Sequence, residues 1–384
     1  MAAVVIELVL MLLTLGGLVY MVLALLGARS FSRWLREQVG GEAFAPGVTV
    51  LKPLKGVDAR MYEALASHCR QEYAGAYELV FGVSSAEDSA CALVERLRGE
   101  FPGVAMRLVV CPERLGTSGK VSNLVQMLRL AAYEFVIVND ADIAVGPRYL
   151  HRVMRGFADE GVGMVTAPYV GRATGGVWSK LEALGISTEF MPGVLTARML
   201  EGGIRFGLGS TLAMRRAALE RAGGFEAVLE CLADDYELGA RIAAAGYRVE
   251  LCGEVVETSV PVYTFGGFRD HQMRWARSTR DSRKWGYVGL GVTFCVPWAV
   301  LTCVASGFAL WSFALLSLVM LARVSVALAV GVGVLGDGQV LRDLWLLPLR
   351  DFLGLGFWVW SFAGDTVVWR GERFRLKGGL LERV

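Results

Sequence analysis

The sequence predicts an α/β protein, a doubly wound sheet held between apolar segments long enough to lie in a membrane. Three observations carry this expectation. Residues 48–260 alternate short apolar runs with helix-length stretches, the pattern of strands joined by crossover helices. The run Phe135-Val136-Ile137-Val138 leads directly into Asn139-Asp140-Ala141-Asp142, which puts two carboxylates at the carboxyl edge of a strand, where open α/β sheets bind ligands. The 384 residues are 54% hydrophobic with a mean hydropathy of +0.46, too apolar for an ordinary soluble domain yet charged throughout the middle.

The first element is a helix over 2–26, whose one charge is Glu7 and whose length suits a hydrocarbon core of roughly 30 Å. A cleavable leader would start with basic residues, and no Lys or Arg precedes Arg29, so residues 1–28 are expected to span. Arg29, Arg33 and Arg36 follow, which places the next domain, 29–262, on the cytoplasmic side. Its strands are expected at 48–51, 79–83, 106–110, 135–138 and 163–166, with helices near 60–69, 88–97, 121–132 and 147–157 as right-handed crossovers. A segment at 263–287 interleaves basic and aromatic residues, as a helix lying on a membrane surface does. Residues 288–384 complete the chain. Their stretch 288–335 holds a single charge, Arg323, and has length for two helices; 344–368 is a further candidate, interrupted by Arg350, Asp351 and Asp365. Four full spans would put the basic tail (Arg370, Arg373, Arg375, Lys377) outside, so either one segment fails to cross or the tail breaks the positive-inside rule.

The formal net charge of +2 argues neither for nucleic acid nor for a polyacidic partner, and no nucleic acid is expected. The seven cysteines carry no CxxC or Cys/His metal spacing, which fits a reducing compartment without disulfide or zinc.

Several loops carry chemistry. Lys52-Pro53-Leu54-Lys55-Gly56-Val57-Asp58 follows the first strand; its lysines suit phosphate or a base edge, and a basic surface turn fits as well. In Ser84-Ser85-Ala86-Glu87-Asp88 the acids suit a base or ribose, or else the start of a helix. Gly116-Thr117-Ser118-Gly119-Lys120 combines free backbone, a cation and a polar helix start, suitable for a diphosphate. Asp140 and Asp142 are the strongest signal, because two carboxylates this close repel and stay ionised together only with a cation or hydrogen bonds. A hard divalent ion, Mg2+ or Mn2+, answers that need and takes phosphate oxygens as further ligands. Asp234-Asp235 opens a helix after Gly223-Gly224-Phe225; one of them suits a general base, and helix capping would account for the other. Last, His271, Arg274 and Trp275 share a helix face, where Arg suits a departing diphosphate and Trp an acceptor pocket.

Taken in this order, these motifs resemble the membrane-bound, inverting GT-A glycosyltransferases of the ceramide glucosyltransferase type, glycosyltransferase family 21 within the wider family 2 group. The resemblance covers about 48–285: the KPLKGVD loop, a first acid at Asp88, the DxD at Asp140 to Asp142, the acid of an (E/D)D motif at Asp235, and an xxxRW motif at Arg274 and Trp275. One departure stands out, since His271 occupies the place where the family has Gln or Arg. The stretch 181–216, with Gly209 and Ser210, is also similar to a bacterial, hopanoid-associated branch that transfers N-acetylglucosamine.

The resemblance implies a GT-A, Rossmann-like domain in a bacterial-type inner membrane, with its catalytic part cytoplasmic. It further implies a UDP-sugar donor (glucose or N-acetylglucosamine), a divalent metal on Asp140 and Asp142, and a lipid acceptor, ceramide or hopanoid, reached from the bilayer. Asp235 becomes the base of a single displacement; Lys52, Asp88, Lys120, Asp140, Arg274 and Trp275 hold the nucleotide sugar; Asp234, His271, Gly209 and Ser210 support the site or the acceptor. Two other classes compete. A processive polysaccharide synthase would carry QxxRW and a longer membrane region, and a non-enzymatic nucleotide-sugar sensor would have no need of all four acids.

Overall fold

The computed structural model describes residues 1–37, 44–369 and 372–383; Arg370 of the basic tail lies outside them. The expected sheet is present and larger than expected. Seven strands lie in the order Ala105–Val110, Tyr77–Val83, Val48–Pro53, Phe135–Val138, Leu212–Arg215, Val162–Thr166, Arg248–Leu251. All run parallel except Leu212–Arg215, which enters antiparallel between Phe135–Val138 and Val162–Thr166. Val48 to Leu51 and Phe135 to Val138 are buried throughout, as strands covered by helices on both faces must be. A second sheet of Ile143–Ala144, Val256–Val260 and Tyr169–Ala173 stands beside the exit of the acid-bearing strand.

The N-terminal helix runs Ala2–Glu37, so Arg29, Arg33 and Arg36 belong to it rather than to a linker. At 1.5 Å per residue it is roughly 54 Å long, well beyond a bilayer core. Its buried face is a stripe of small residues, Thr14, Gly17, Ala24 and Ala28 among them. At Gly17 an added Cβ would lie 2.7 Å from the Cβ of Cys295, so the helix packs backbone-close against Cys295–Ala305, as helices do in lipid.

The C-terminal region departs from four spans. Among the described residues two helices are long and apolar enough to cross a membrane, Ala2–Glu37 and Leu310–Val334, or three if Lys284–Thr293 and Cys295–Ala305, bent by 54°, count as one. The stretch 344–368 supplies only the helix Leu347–Ser361, whose 15 residues reach roughly 22 Å and fall short of a bilayer core. Of the charges that interrupt it, Arg350 and Asp351 are buried inside the bundle and Asp365 is exposed: Arg323 grips Asp351 through Nε and Nη2 at 2.9 and 2.8 Å and donates to the carbonyl of Thr188, and Arg350 meets Glu189 at 3.0 Å. After this helix the tail forms a small sheet, Thr366–Trp369, Glu372–Lys377 and Leu380–Arg383. It docks on the globular domain, with Val367, Phe374, Leu376 and Leu381 around Leu232. The tail therefore lies on the same side as the large sheet. All seven cysteines are free.

Candidate active site

The acid pair stands on a rigid base. Asn139, fully buried at the end of its strand, donates to the Tyr149 hydroxyl, the Ser210 carbonyl and Thr211 Oγ1 at 2.9, 2.7 and 3.1 Å, and its own oxygen faces His68 Nε2 at 3.3 Å. This fixes the exit of the strand and the 208–211 turn against each other. Asp140 and Asp142 follow, and Asp142 Oδ2 accepts a hydrogen bond from Thr258 at 2.5 Å. Burial, and then the neighbouring charge of Asp140, pushes the pKa of Asp142 up.

Two lysines hold the pair from different directions. Lys52 does not face out of its loop: the first strand continues through it, paired with Phe81, and its side chain is fully buried with Nζ donating to the Asp140 carbonyl at 3.1 Å. Burial lowers its pKa to about 7, against the pull of Asp142 and Asp140. Lys120 lies at the start of the helix Gly119–Leu128, capped by Ser118, and bridges Asp140 Oδ1 at 2.9 Å and Asp234 Oδ2 at 3.2 Å. Its burial works against the charge, but Asp140 and Asp234 outweigh it and raise the pKa. Asp88 ties the first loop down: its two oxygens accept from Gly56 N at 3.0 and 3.1 Å, and Oδ1 also accepts from Ala90 N at 2.9 Å. Gly56 has φ of +66°, a conformation that glycine adopts without strain.

Asp235 sits in the first turn of Asp234–Ala244; the capping position belongs to Ala233, so neither aspartate serves as the cap. Its Oδ1 accepts from Tyr236 N at 2.8 Å. Its Oδ2 looks across Gly209, where an added Cβ would be 3.0 Å from Asp235 Oδ2 and 3.7 Å from Asp140 Oδ2. Those two oxygens therefore lie within about 7 Å of one another beside Gly209. Burial first, then Asp234, raises the pKa of Asp235 to about 6, with Lys120 opposing. Ser210 is buried and donates to the Ala167 carbonyl at 3.0 Å, shaping the same turn from behind.

The helix Phe265–Ser282 brings the remaining group to this cleft. Arg274 makes no hydrogen bond or ion pair among the described residues; burial lowers its pKa, while Tyr263, Glu182, Asp140 and Asp235 lie close enough to favour its charge. Trp275 packs on the main core and against the ring of His271, with centroids 4.8 Å apart. His271 donates through Nδ1 to, or shares a proton with, Glu182 Oε2 at 2.8 Å. Glu182, Tyr169 and Tyr263 were not foreseen. Burial, followed by the charges of Asp235, Glu182, Asp140 and Asp142, raises the pKa of the Tyr169 phenol, which locates that side chain among the acids. The one sequence signal for Glu182 is a lone acid in the helix Val177–Gly185, whose other charge is Lys180.

No three His, Cys, Asp or Glu side chains among the described residues are grouped to hold a metal unaided. Asp140 and Asp142, with Asp140 Oδ2 not engaged by Lys120, do fit a hard divalent ion whose other ligands are phosphate oxygens and water.

The chain is similar to known glycosyltransferases in sequence and in fold. The curated ceramide glucosyltransferase 3 of Caenorhabditis elegans is 26% identical over 252 residues, 65% of this chain and 54% of that protein. The beta-monoglucosyldiacylglycerol synthase of Trichormus variabilis is 27% identical over 222 residues, 57% of this chain and 46% of that one. The chain thus spans about half the length of these curated relatives. The solved mannosyltransferase PcManGT from Pyrobaculum calidifontis, in complex with GDP-Man and Mn2+, shares the fold with a TM-score of 0.54 at 22% identity, over 93% of this chain and 98% of that one. A family model described as glycosyl transferase family 21 matches residues 9–381, nearly the whole chain, and the chain belongs to that family.

Proposed function

We propose that this chain is an inverting, UDP-sugar-dependent glycosyltransferase that moves a hexose onto the hydroxyl of a membrane lipid. The observation that carries this reading is that Asp235 Oδ2 and Asp140 Oδ2 both border the space beside Gly209, at 3.0 and 3.7 Å from where its Cβ would stand. One is a buried acid with a pKa of about 6, ionised at neutral pH and more basic than an ordinary aspartate, as a general base should be. The other belongs to a pair suited to a diphosphate and its cation.

In the reaction the acceptor hydroxyl gives its proton to Asp235 Oδ2 while its oxygen attacks the sugar C1 from the side opposite the diphosphate. The new C1–O bond forms as the C1–O bond to phosphate breaks, so the configuration inverts and UDP leaves. Arg274, which makes no hydrogen bond or ion pair among the described residues and whose charge Asp140 and Asp235 favour, offsets charge on the departing diphosphate. A divalent ion on Asp140 and Asp142 neutralises the diphosphate when bound. Lys52 and Asp88 act on the protein rather than on the nucleotide: the first supports the Asp140 carbonyl and the second anchors the loop at Gly56.

Relatives named for ceramide and for glucosyldiacylglycerol support a neutral lipid alcohol as acceptor and glucose as the sugar; N-acetylglucosamine and a hopanoid alcohol offer the same chemistry. The neighbouring fold that holds GDP-Man and Mn2+ supports a nucleotide sugar with a divalent ion. For the membrane, three spans put the basic end of the first helix, the large sheet and the docked tail on one side, the cytoplasmic one by the positive-inside rule.

The test incubates the purified chain with Mn2+, each lipid (ceramide, diacylglycerol, hopanoid), and UDP-glucose, UDP-N-acetylglucosamine or GDP-mannose. Mass spectrometry identifies the product and NMR its anomeric configuration. A β-glycolipid from a UDP-sugar is expected. Transfer from GDP-mannose alone, or an α-product, would overturn the donor or the mechanism respectively.

A further inference from the structure

The departure at His271 has a counterpart 89 residues away. His271 Nδ1 lies 2.8 Å from Glu182 Oε2. That carboxylate is only 4% exposed and also receives the Tyr263 hydroxyl and the Gln272 amide, each at 3.4 Å. The imidazole is held on both sides: Tyr263 stacks on it at 5.8 Å with a 26° tilt, and Trp275 stands at 4.8 Å. A ring fixed in this way has one tautomer, because a carboxylate at Nδ1 requires a proton there. Its other nitrogen, Nε2, makes no hydrogen bond among the described residues and is not sealed off, the side chain keeping 22% of its exposure. Arg274, one helical turn further on, feels the charges of Asp140 and Asp235, so this face of the helix borders the reaction cleft.

Gln and Arg, the residues that motif carries elsewhere, share one property: an N–H donor at the end of the side chain. With Nδ1 committed to Glu182, His271 offers such a donor only when Nε2 is protonated as well. The arrangement has the form in which a buried acid orients an imidazole whose second nitrogen works elsewhere.

We propose that Glu182 and His271 form a positioning dyad in which Glu182 holds the imidazolium and Nε2–H donates to an oxygen of the donor diphosphate beside Arg274. The proposal rests on the functional reading above. The groups facing His271 are Glu182 from its neighbouring helix, Tyr263 from the preceding loop and Arg274 on its own helix. Those on the other packed elements are engaged elsewhere: Asp351 and Arg350 with Arg323 and Glu189, and Asp365 with Arg280 at the far end of the helix.

The experiment measures donor KM, kcat and thermal unfolding in three variants of the full chain in lipid. His271→Ala is expected to raise the donor KM roughly 10-fold with kcat little changed, the loss of one charge-assisted hydrogen bond. His271→Gln keeps an N–H donor and restores most of that loss. Glu182→Gln removes the carboxylate that holds Nδ1–H and raises donor KM in the same direction. A purely structural contact would lower stability in all three without a selective rise in donor KM. If the wild type transfers sugar and both His271→Ala and Glu182→Gln keep its donor KM, the dyad is overturned; if the wild type transfers none to any lipid, the functional reading fails instead.

Discussion

Gly209→Ala adds one methyl group at the point where the two halves of the site meet. The backbone there lies outside the left-handed region, so alanine brings no conformational strain and the effect is steric. The new Cβ would stand 3.0 Å from Asp235 Oδ2, about 0.4 Å inside the ordinary contact limit of 3.4 Å, while its 3.7 Å to Asp140 Oδ2 is comfortable. Asp235 must give way, since Gly209 sits in the turn pinned by Asn139 and Ser210. A misplacement of 1 Å in a reacting group costs about 10²-fold, so a shift of a few tenths of an ångström should lower kcat roughly 5- to 10-fold. Donor KM should stay within about two-fold, because Asp140 and Arg274 are untouched. The assay is initial-rate transfer to lipid over a range of UDP-sugar, with thermal unfolding as control. An unchanged kcat would show that Asp235 Oδ2 is not the group that meets the acceptor, and a raised KM with normal kcat would move Gly209 to the donor side.

Asp235→Asn should retain UDP-sugar binding and lose about 10² or more in kcat; near-normal turnover removes it as base. Because its pKa is raised to about 6 and only the ionised form accepts a proton, kcat/KM in the wild type should rise with pH through about 6, and a rise centred near 4 would contradict the burial of the group. Asp142→Ala should weaken Mn2+-dependent UDP binding in titration calorimetry, with little change when Mn2+ is absent; equal loss in both would move the metal elsewhere. Asp351→Ala leaves Arg323 buried without its carboxylate and should cost about 3–5 kcal/mol, seen as a large drop in thermal stability in detergent; an unchanged midpoint would mean the pair is solvated.

The parts of this molecule that could be read from the sequence are those whose signal is local. Four apolar residues running into Asn139-Asp140-Ala141-Asp142 state both the strand and the edge at which it ends, and Arg274 lies within electrostatic reach of Asp140 and Asp235. The apolar run stops at Leu51, whereas pairing with Phe81 and Gly82 extends the strand two residues, and Lys52 is buried within it. The antiparallel strand Leu212–Arg215 was missed because four residues between turns carry no sign of the neighbours that will pair with them. Glu182 has the same difficulty in stronger form, its partner lying on another helix. Arg350 and Asp351 looked like interruptions of a span; Glu189 and Arg323, distant in sequence, make them interior ion pairs.

The charges around Gly209 explain why a nucleotide sugar and its cation should arrive together. Asp140, Asp142, Asp234 and Asp235 face Lys52, Lys120 and Arg274, so with every group ionised the site is one charge negative. A donor diphosphate alone would bring about two further negative charges into a buried place, and a divalent ion alone would compete with Lys120 for Asp140. Together they leave the balance where it was, while the lysine that spans Asp140 and Asp234 is free to turn toward phosphate. Within low dielectric each uncompensated charge is costly, and both Asp142 and Asp235 already show that strain in their raised pKa values. On the proposed function, the acid pair would suit a free metal ion less than one that comes already bound to the diphosphate.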